Sequence, residues 1–296
     1  MDYVDQIGDA QFPPPYSFPG VKVLSFRLAA DLGALTALCD KILNIGDISD
    51  RGFEYRPIIP FVDLEILYYP KMEYAFFPNL AFTSQHECYV RIFVMKYVAL
   101  GGLLVPDGEL AIFCPFLAVD NPWSAFAGRD VLGYPKLVGS FDAFSPGNPY
   151  GSVKTLTFAS LIGGAATSLP IVTIGNPGGA PAPTPPNSWP WGDISLIGFE
   201  IIDLMICGSV QMKQFRDAED PLAACYQAIL QSYIFLEASG PLGPLPPVEI
   251  TINEYPTFNL ASSIGVAANT PLTPVWQYHM DLSFSFGGVL TLFENF

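Results

Sequence analysis

Basic residues are scarce in this chain: 13 lysines and arginines stand against 28 acidic residues, a net charge of -15 at pH 7. So acidic a surface repels phosphate backbones and anionic lipid headgroups, which argues against nucleic acid or a membrane as partner. Histidine is rarer still. His86 and His279 lie far apart in sequence, and no Cys/His spacing suggests a zinc site, so no metal is expected. The five cysteines, at 39, 88, 114, 207 and 225, are odd in number and without a close pair. They read as reduced thiols buried as small hydrophobes, not as a disulfide framework.

Long apolar runs are also missing, although 50% of the residues are hydrophobic. The longest candidate, Ile92 to Pro106, contains Lys96 and two glycines and falls short of the roughly 20 apolar residues that cross a bilayer as a helix. The N-terminal stretch MDYVDQIGDAQFPPPYSFPG has neither the basic start nor the apolar run of a secretory signal, so a cytoplasmic location is expected. Common catalytic signatures are absent too. There is no G-x-S-x-G elbow and no G-x-x-x-x-G-K-[ST] loop, and the glycines of IGGAAT make no dinucleotide fingerprint, so no cofactor is expected.

What is present is enough apolar sequence, in 296 residues of which only 14% are charged, to bury a large core, taken here as a single domain. Lys22 to Phe26 reads as a strand. From Ala29 to about Leu43 the residues Leu32, Leu35, Leu38, Ile42 and Leu43 recur at helical spacing. Short segments rich in branched and aromatic residues follow, such as FVDLEILYYP, ECYVRIFVMKYV and ELAIFCPFLAV, separated by Gly, Pro, Asn and Asp. The expected class is mainly β with a few helices (α+β), closed as an antiparallel β-barrel or a double sheet.

The Pro/Gly-rich stretch at about 160–193 is expected to be a surface loop, because so many prolines and glycines do not pair as a central strand. It would serve either as a bare excursion or, given Trp189 and Trp191, as a lid or oligomer contact. Asp220-Pro221 ahead of LAACYQAILQS suits either a capped helix or a strand. In the tail, Met280, Leu282, Phe284 and Phe286 alternate with Asp281, Ser283 and Ser285, as in a strand that closes a sheet.

One of the few lysines sits in GRDVLGYPKLVGSF, residues 128–141, among small, aromatic and branched apolar neighbours. Lys136 could end a strand with its ammonium in water. Alternatively, an extended backbone puts Tyr134, Lys136 and Val138 on one face, with Pro135 and Leu137 on the other. If the first face lines a cavity, the amine loses hydration, and desolvation favours the neutral form that attacks a carbonyl.

The run AGRDVLGYPKLVGSF resembles the A-[VA]-G-R-E-x-x-x-Y-P-K signature of the acetoacetate decarboxylase family. Gly128, Arg129, Tyr134, Pro135 and Lys136 fall at matching positions, with Asp130 in place of Glu. SFRLAADLGALTALCDKIL, FVDLEILYYP, TSQHECYVRIFVMKYV and QYHMDLSFSFGGVLTLF also resemble segments of that family. The resemblance implies a Schiff-base lysine at Lys136, a carboxylate for proton handling at Glu87, and a second carboxylate, Glu65, facing the same cavity. Each has a structural alternative: Glu87 as an edge residue and Glu65 as a solvent-facing one. Arg129 would bind an anionic substrate or hold its loop after the turn-forming Gly128; Tyr134 would hydrogen-bond a substrate oxygen or pack its ring.

Two departures from the family pattern stand out. The family's second lysine is replaced by Leu137, and the arginine near its first strand has only Lys22 and Arg27 as imperfect substitutes. The implied chemistry is a lysine imine acting on a small or medium oxo acid, with decarboxylation first. Aldol or dehydratase chemistry, cyclisation, and a non-catalytic binding protein on the same fold are the alternatives. The family also implies a homo-oligomer.

Overall fold

The structure is a computed structural model that describes residues 14–74, 82–177, 208–220 and 222–295. Twelve strands form one hydrogen-bonded network among the described residues. They are β1 (Tyr16–Ala29), β2 (Phe53–Pro57), β3 (Phe61–Tyr74), β4 (Phe82–Leu100), β5 (Leu103–Val119), β6 (Lys136–Phe141), β7 (Gly151–Thr157), β8 (Thr167–Gly175), β9 (Gly208–Arg216), β10 (Ala224–Ser239), β11 (Glu249–Ile252) and β12 (Trp276–Asn295). Their order is β11-β8-β7-β6-β5-β9-β10-β12-β1-β3-β4-β2, and β5 pairs with β4 as well. The helices are α1 (Leu32–Ile42), α2 (Ile48–Arg51), α3 (Pro122–Asp130) and α4 (Leu260–Ser263).

The mainly-β, double-sheet reading holds. Seven strands, β5-β9-β10-β12-β1-β3-β4, form a pairing circuit around an interior. Only three described residue pairs join β5 to β9, so the wall is a sheet rolled around a cavity more than a strictly closed barrel. The pairing is mostly antiparallel, with β5 running parallel to both β6 and β9. A parallel partner needs a crossover, and α3 supplies the one from β5 to β6.

Period-two alternation sorts the wall strands into two faces. Leu64 and Ile66 of β3 and Cys88 and Val90 of β4 face an outer core, which α1 covers with Leu35, Leu38 and Cys39. The alternate residues Val23, Leu67, Ile112 and Leu117 face an inner core, joined by Met280, Leu282, Phe284 and Phe286 of β12. Helix α1 starts where Asp31 caps it, the carboxylate accepting from Ala34 N at 2.7 Å. Cys39, Cys88 and Cys114 are buried and outside any disulfide, Cys225 is exposed, and Cys207 lies outside the described residues.

One local expectation changes and one open alternative is decided. Thr167–Gly175, inside the stretch expected to be loop, is strand β8 between β7 and β11. Its Pro170 sits at a register shift beside Val153 and Lys154, the kind of bulge where a strand tolerates proline. The remainder of that stretch from residue 178 on, with Trp189 and Trp191, lies outside the described residues. The segment after Asp220 is strand β10, hydrogen-bonded on both sides, not a helix. No helix among the described residues is long and apolar enough to cross a membrane.

Candidate active site

The inner face of the wall lines a cavity of about 150 Å³. Cross-strand register assembles its polar side. Ser25, Glu65 and Tyr89 lie abreast on β1, β3 and β4, Leu67 and Glu87 form the next pair, and Tyr69 and Gln85 the one after. Lys136 enters from the far side, because β6 pairs with β5 at Leu117, itself the partner of Tyr89.

Helix α3 sets the lysine's position. Asn121 caps it, accepting from Trp123 N at 3.0 Å and Ser124 N at 3.3 Å, and Pro122 occupies the first turn, where its missing N–H costs nothing. The cap fixes Ser124, whose Oγ lies 3.1 Å from Lys136 Nζ. Gly128, expected to form a turn, is instead inside α3. A Cβ there would lie 2.6 Å from both Cδ and Cε of Lys136, so glycine leaves the channel through which the lysine stem passes. Gly133, at φ +76°, then turns the chain in a conformation that favours glycine. Lys136 N–H donates to Tyr134 O at 2.8 Å, a three-residue turn centred on Pro135. Tyr134 and Lys136 both face the cavity, as the sequence alternation has it, whereas Val138, expected on the same face, is 46% exposed.

The amine is buried, with 8% of Lys136 exposed, and lies 3.3 Å from Glu87 Oε2. Glu87 is itself held by Tyr69, whose hydroxyl donates to Oε1 at 3.0 Å, and by Gln85 Nε2, which donates to Oε2 at 2.9 Å. Burial pushes the Tyr69 phenol well above its ordinary range, with the Glu87 charge adding to it, so Tyr69 stays a donor. Tyr134 is likewise driven upward by burial.

Deeper along the wall lies a second cluster. Asp63 accepts from Arg27 Nε at 2.7 Å and Nη2 at 2.8 Å, and from Arg91 Nη2 at 3.0 Å. Arg91 also lies 3.0 Å from Glu65 Oε1, while Ser25 and Tyr89 donate to Glu65. Burial works against ionisation of Asp63, but the two guanidiniums outweigh it and hold the carboxyl below its usual range. For Glu65 burial wins: helped by the Asp63 charge and opposed by Arg91 and the two hydroxyls, it pushes the carboxyl up. Two adjacent carboxyls are thus driven apart, and the one on the cavity wall holds its proton more tightly.

Lys136, Glu87, Glu65 and Tyr134 therefore share one cavity. Arg27 does not line it. Its guanidinium grips Asp63 and stacks 5.7 Å from both the Phe93 and Trp276 rings, so the expected substrate contact is corrected to a structural one. Arg129 is exposed, outside the cavity, and donates to Lys136 O at 3.3 Å. It braces the motif backbone. Leu137, where the family places a second lysine, packs against the outer core. Sequence reasoning missed Ser124, Tyr69, Gln85 and Arg91. No group of three or more His, Cys, Asp or Glu residues poised for a metal occurs among the described residues.

A strand-built cavity with a buried lysine–carboxylate pair on its wall is the candidate site of this fold. The acetoacetate decarboxylase family profile matches residues 4–158, just over half the chain, and the chain belongs to that family. Among solved structures, acetoacetate decarboxylase from Legionella pneumophila aligns at 12% identity with a TM-score of 0.60, covering 99% of this chain and 98% of that one. The enduracididine biosynthesis enzyme MppR complexed with pyruvate aligns at 14% and 0.54, covering 97% and 94%. An acetoacetate decarboxylase-like enzyme from Sphingomonas wittichii aligns at 14% and 0.53, covering 98% and 97%. At such identities the likeness is one of fold. No curated protein matches the chain in sequence.

Replacing Gly128 with alanine tests the lysine channel. The new methyl abuts the flexible stem of Lys136, not backbone, so Gly128→Ala is expected to fold. The amine would be displaced, and a shift of about 1 Å at a reacting atom lowers rate roughly a hundredfold. Covalent capture of a carbonyl compound by the variant, timed against wild type at matched thermal stability, checks this.

Proposed function

We propose that this protein is a lyase that forms a Schiff base between Lys136 and a small oxo acid and, by preference, releases CO2. The observation that carries the reading is the buried Lys136 amine at 3.3 Å from Glu87 and 3.1 Å from Ser124, inside the cavity. A space of about 150 Å³ takes a molecule about the size of benzene, which favours the small end of the oxo-acid range.

The free amine attacks the ketone carbon, forming a C–N bond, and the carbonyl oxygen leaves as water once protonated. Glu87 is placed to take the ammonium proton and return it to that oxygen. In a 3-oxo acid, whose carboxylate is carried on the carbon next to the iminium, the bond to the carboxylate then breaks, its electron pair moving into the iminium, so that CO2 departs and an enamine remains. The enamine carbon takes a proton, for which Glu65, with its carboxyl pushed up, is the candidate source. Water finally adds to the iminium and releases the ketone and the amine.

Decarboxylation is preferred over aldol chemistry because the cavity gives a carboxylate little support. Its wall is largely apolar, and Arg91 is already engaged by Asp63 and Glu65. A charge in such a setting gains by leaving as neutral CO2. In this reading the protein needs neither cofactor nor metal and works in the cytoplasm. Apolar side chains exposed on its strands, such as Leu156, Phe235 and Leu290, suit a homo-oligomer.

The test is borohydride reduction in the presence of acetoacetate, pyruvate and related small oxo acids, with mass spectrometry of the Lys136 peptide. With acetoacetate, a 3-oxo acid, the expected result is an alkylated Lys136 carrying the decarboxylated ketone, with CO2 released. An adduct without CO2 but with aldehyde consumption replaces decarboxylation by aldol chemistry. Failure to trap any acid, alongside tight binding, assigns the fold to a binding protein.

A further inference from the structure

The lining of the cavity changes character from strand to strand. β3 and β4 contribute Glu65, Tyr69, Gln85, Glu87, Tyr89 and Arg91. β12 contributes Tyr278, Met280, Leu282, Phe284 and Phe286, none of them charged and only Tyr278 with a hydroxyl. The change is abrupt: in the row that holds Glu87, the next side chains along the wall are Leu67, Val23 and Met280. Further along, Phe18 of β1 stands opposite Phe284 with ring centroids 4.9 Å apart, and both rings meet Tyr69 edge-on, at 5.5 and 6.2 Å. Tyr69 therefore has its hydroxyl on Glu87 and its ring on the apolar face. That face begins beside the lysine–carboxylate pair and lines the same space.

Such a face offers a polar substituent almost no partners in exchange for its water, whereas an apolar one gains by leaving water for it. We infer that the oxo acid carries a short alkyl substituent on its carbonyl carbon, seated against Met280, Leu282 and Phe284 while the carbonyl carbon meets Lys136. The substituent is about two to four carbons long, as much as a space near the size of benzene accepts beside the carbonyl. The oxo-acid part rests on the lyase reading, and the apolar seat rests on β12. Specificity then resides in a strand that supplies no group to the chemistry.

A homologous series tests this: acetoacetate, 3-oxopentanoate and 3-oxohexanoate, which differ only in CH2 groups, with 3-oxoglutarate as a polar counterpart. For each acid, kcat/KM is measured by CO2 release, and capture at Lys136 by borohydride. Each added CH2 is expected to raise kcat/KM about fourfold, the transfer value of one buried CH2, so that 3-oxohexanoate exceeds acetoacetate about 15-fold. 3-Oxoglutarate should fall below acetoacetate. Met280→Gln, of equal length, puts an amide on the seat and should cut the gain per CH2 to about twofold or less. Equal kcat/KM along the series in wild type, or 3-oxoglutarate turned over as well as 3-oxohexanoate, would overturn the inference, and that comparison needs no variant to fold. Calorimetry with the neutral ketones acetone and 2-pentanone separates the seat from the lyase. Tighter binding of 2-pentanone, with no acid captured at Lys136, would remove the lyase and keep the seat. Capture and CO2 release without a gain per CH2 would keep the lyase and leave β12 only the task of holding water away from the amine.

Discussion

Lys136→Met is expected to abolish borohydride-trappable adduct and to lower turnover of the best oxo acid on the order of 10⁶-fold, the scale on which an enzyme loses a covalent nucleophile. Methionine preserves the length of the stem, which passes Gly128 at a distance that admits no added Cβ, and removes only the amine. Glu87 is not left an orphan by the change, because Tyr69 and Gln85 still donate to its two oxygens. The variant should therefore lose less stability than the 3–5 kcal/mol typical of about one buried charge stripped of its partner. Lys136→Arg is the sharper companion. It keeps a cation beside Glu87 yet forms no imine, so steady turnover by that variant would end the Schiff-base reading. The measurement is turnover and adduct yield at matched far-ultraviolet circular dichroism.

How much of this was legible in the sequence depends on what kind of information each residue carries. Lys136 and Glu87 were found through a motif, and Met280, Leu282, Phe284 and Phe286 through alternation; the structure lines the cavity with all of them. Read the same way, β3 offers Asp63, Glu65, Leu67 and Tyr69 on one face, and β4 offers Gln85, Glu87, Tyr89 and Arg91. A buried face that carries so many polar groups signals a site, and Tyr69, Gln85 and Arg91 were within reach of that argument. Ser124 was accessible too, since Asn121-Pro122 is a helix-start signal that went unread before a segment of weak helical periodicity. Arg27 was not accessible. Its role depends on Asp63 standing opposite it across β1 and β3, and register is decided by the whole sheet, not by either strand. The strand at Ala224–Ser239 was equally open, because a short apolar stretch fits either period until its neighbours β9 and β12 claim its hydrogen bonds.

Asp63→Asn is expected to destabilise the protein by about 3–5 kcal/mol at neutral pH, read from the urea midpoint. The carboxylate holds two buried guanidiniums at 2.7–3.0 Å, and asparagine would offer them one acceptor and an NH2 group that confronts their donors. Arg91 would keep Glu65 as a neighbouring acid, and that group is the one burial pushes toward the protonated form. The pH dependence follows with opposite signs at the two carboxyls. Asp63 is lowered in the folded state, so its contribution is present above the unfolded value near 3.9 and is lost as pH falls through the lower folded value. Glu65 is raised, so its contribution is full below about 4.3 and is lost as pH rises through the higher folded value. The gap between wild type and Asp63→Asn should therefore shrink as pH drops below about 4, whereas Glu65→Gln should gain on wild type as pH rises above about 4. A gap for Asp63→Asn that stays constant from neutral pH into strong acid would mean that the charge of Asp63 does not hold the two arginines in place.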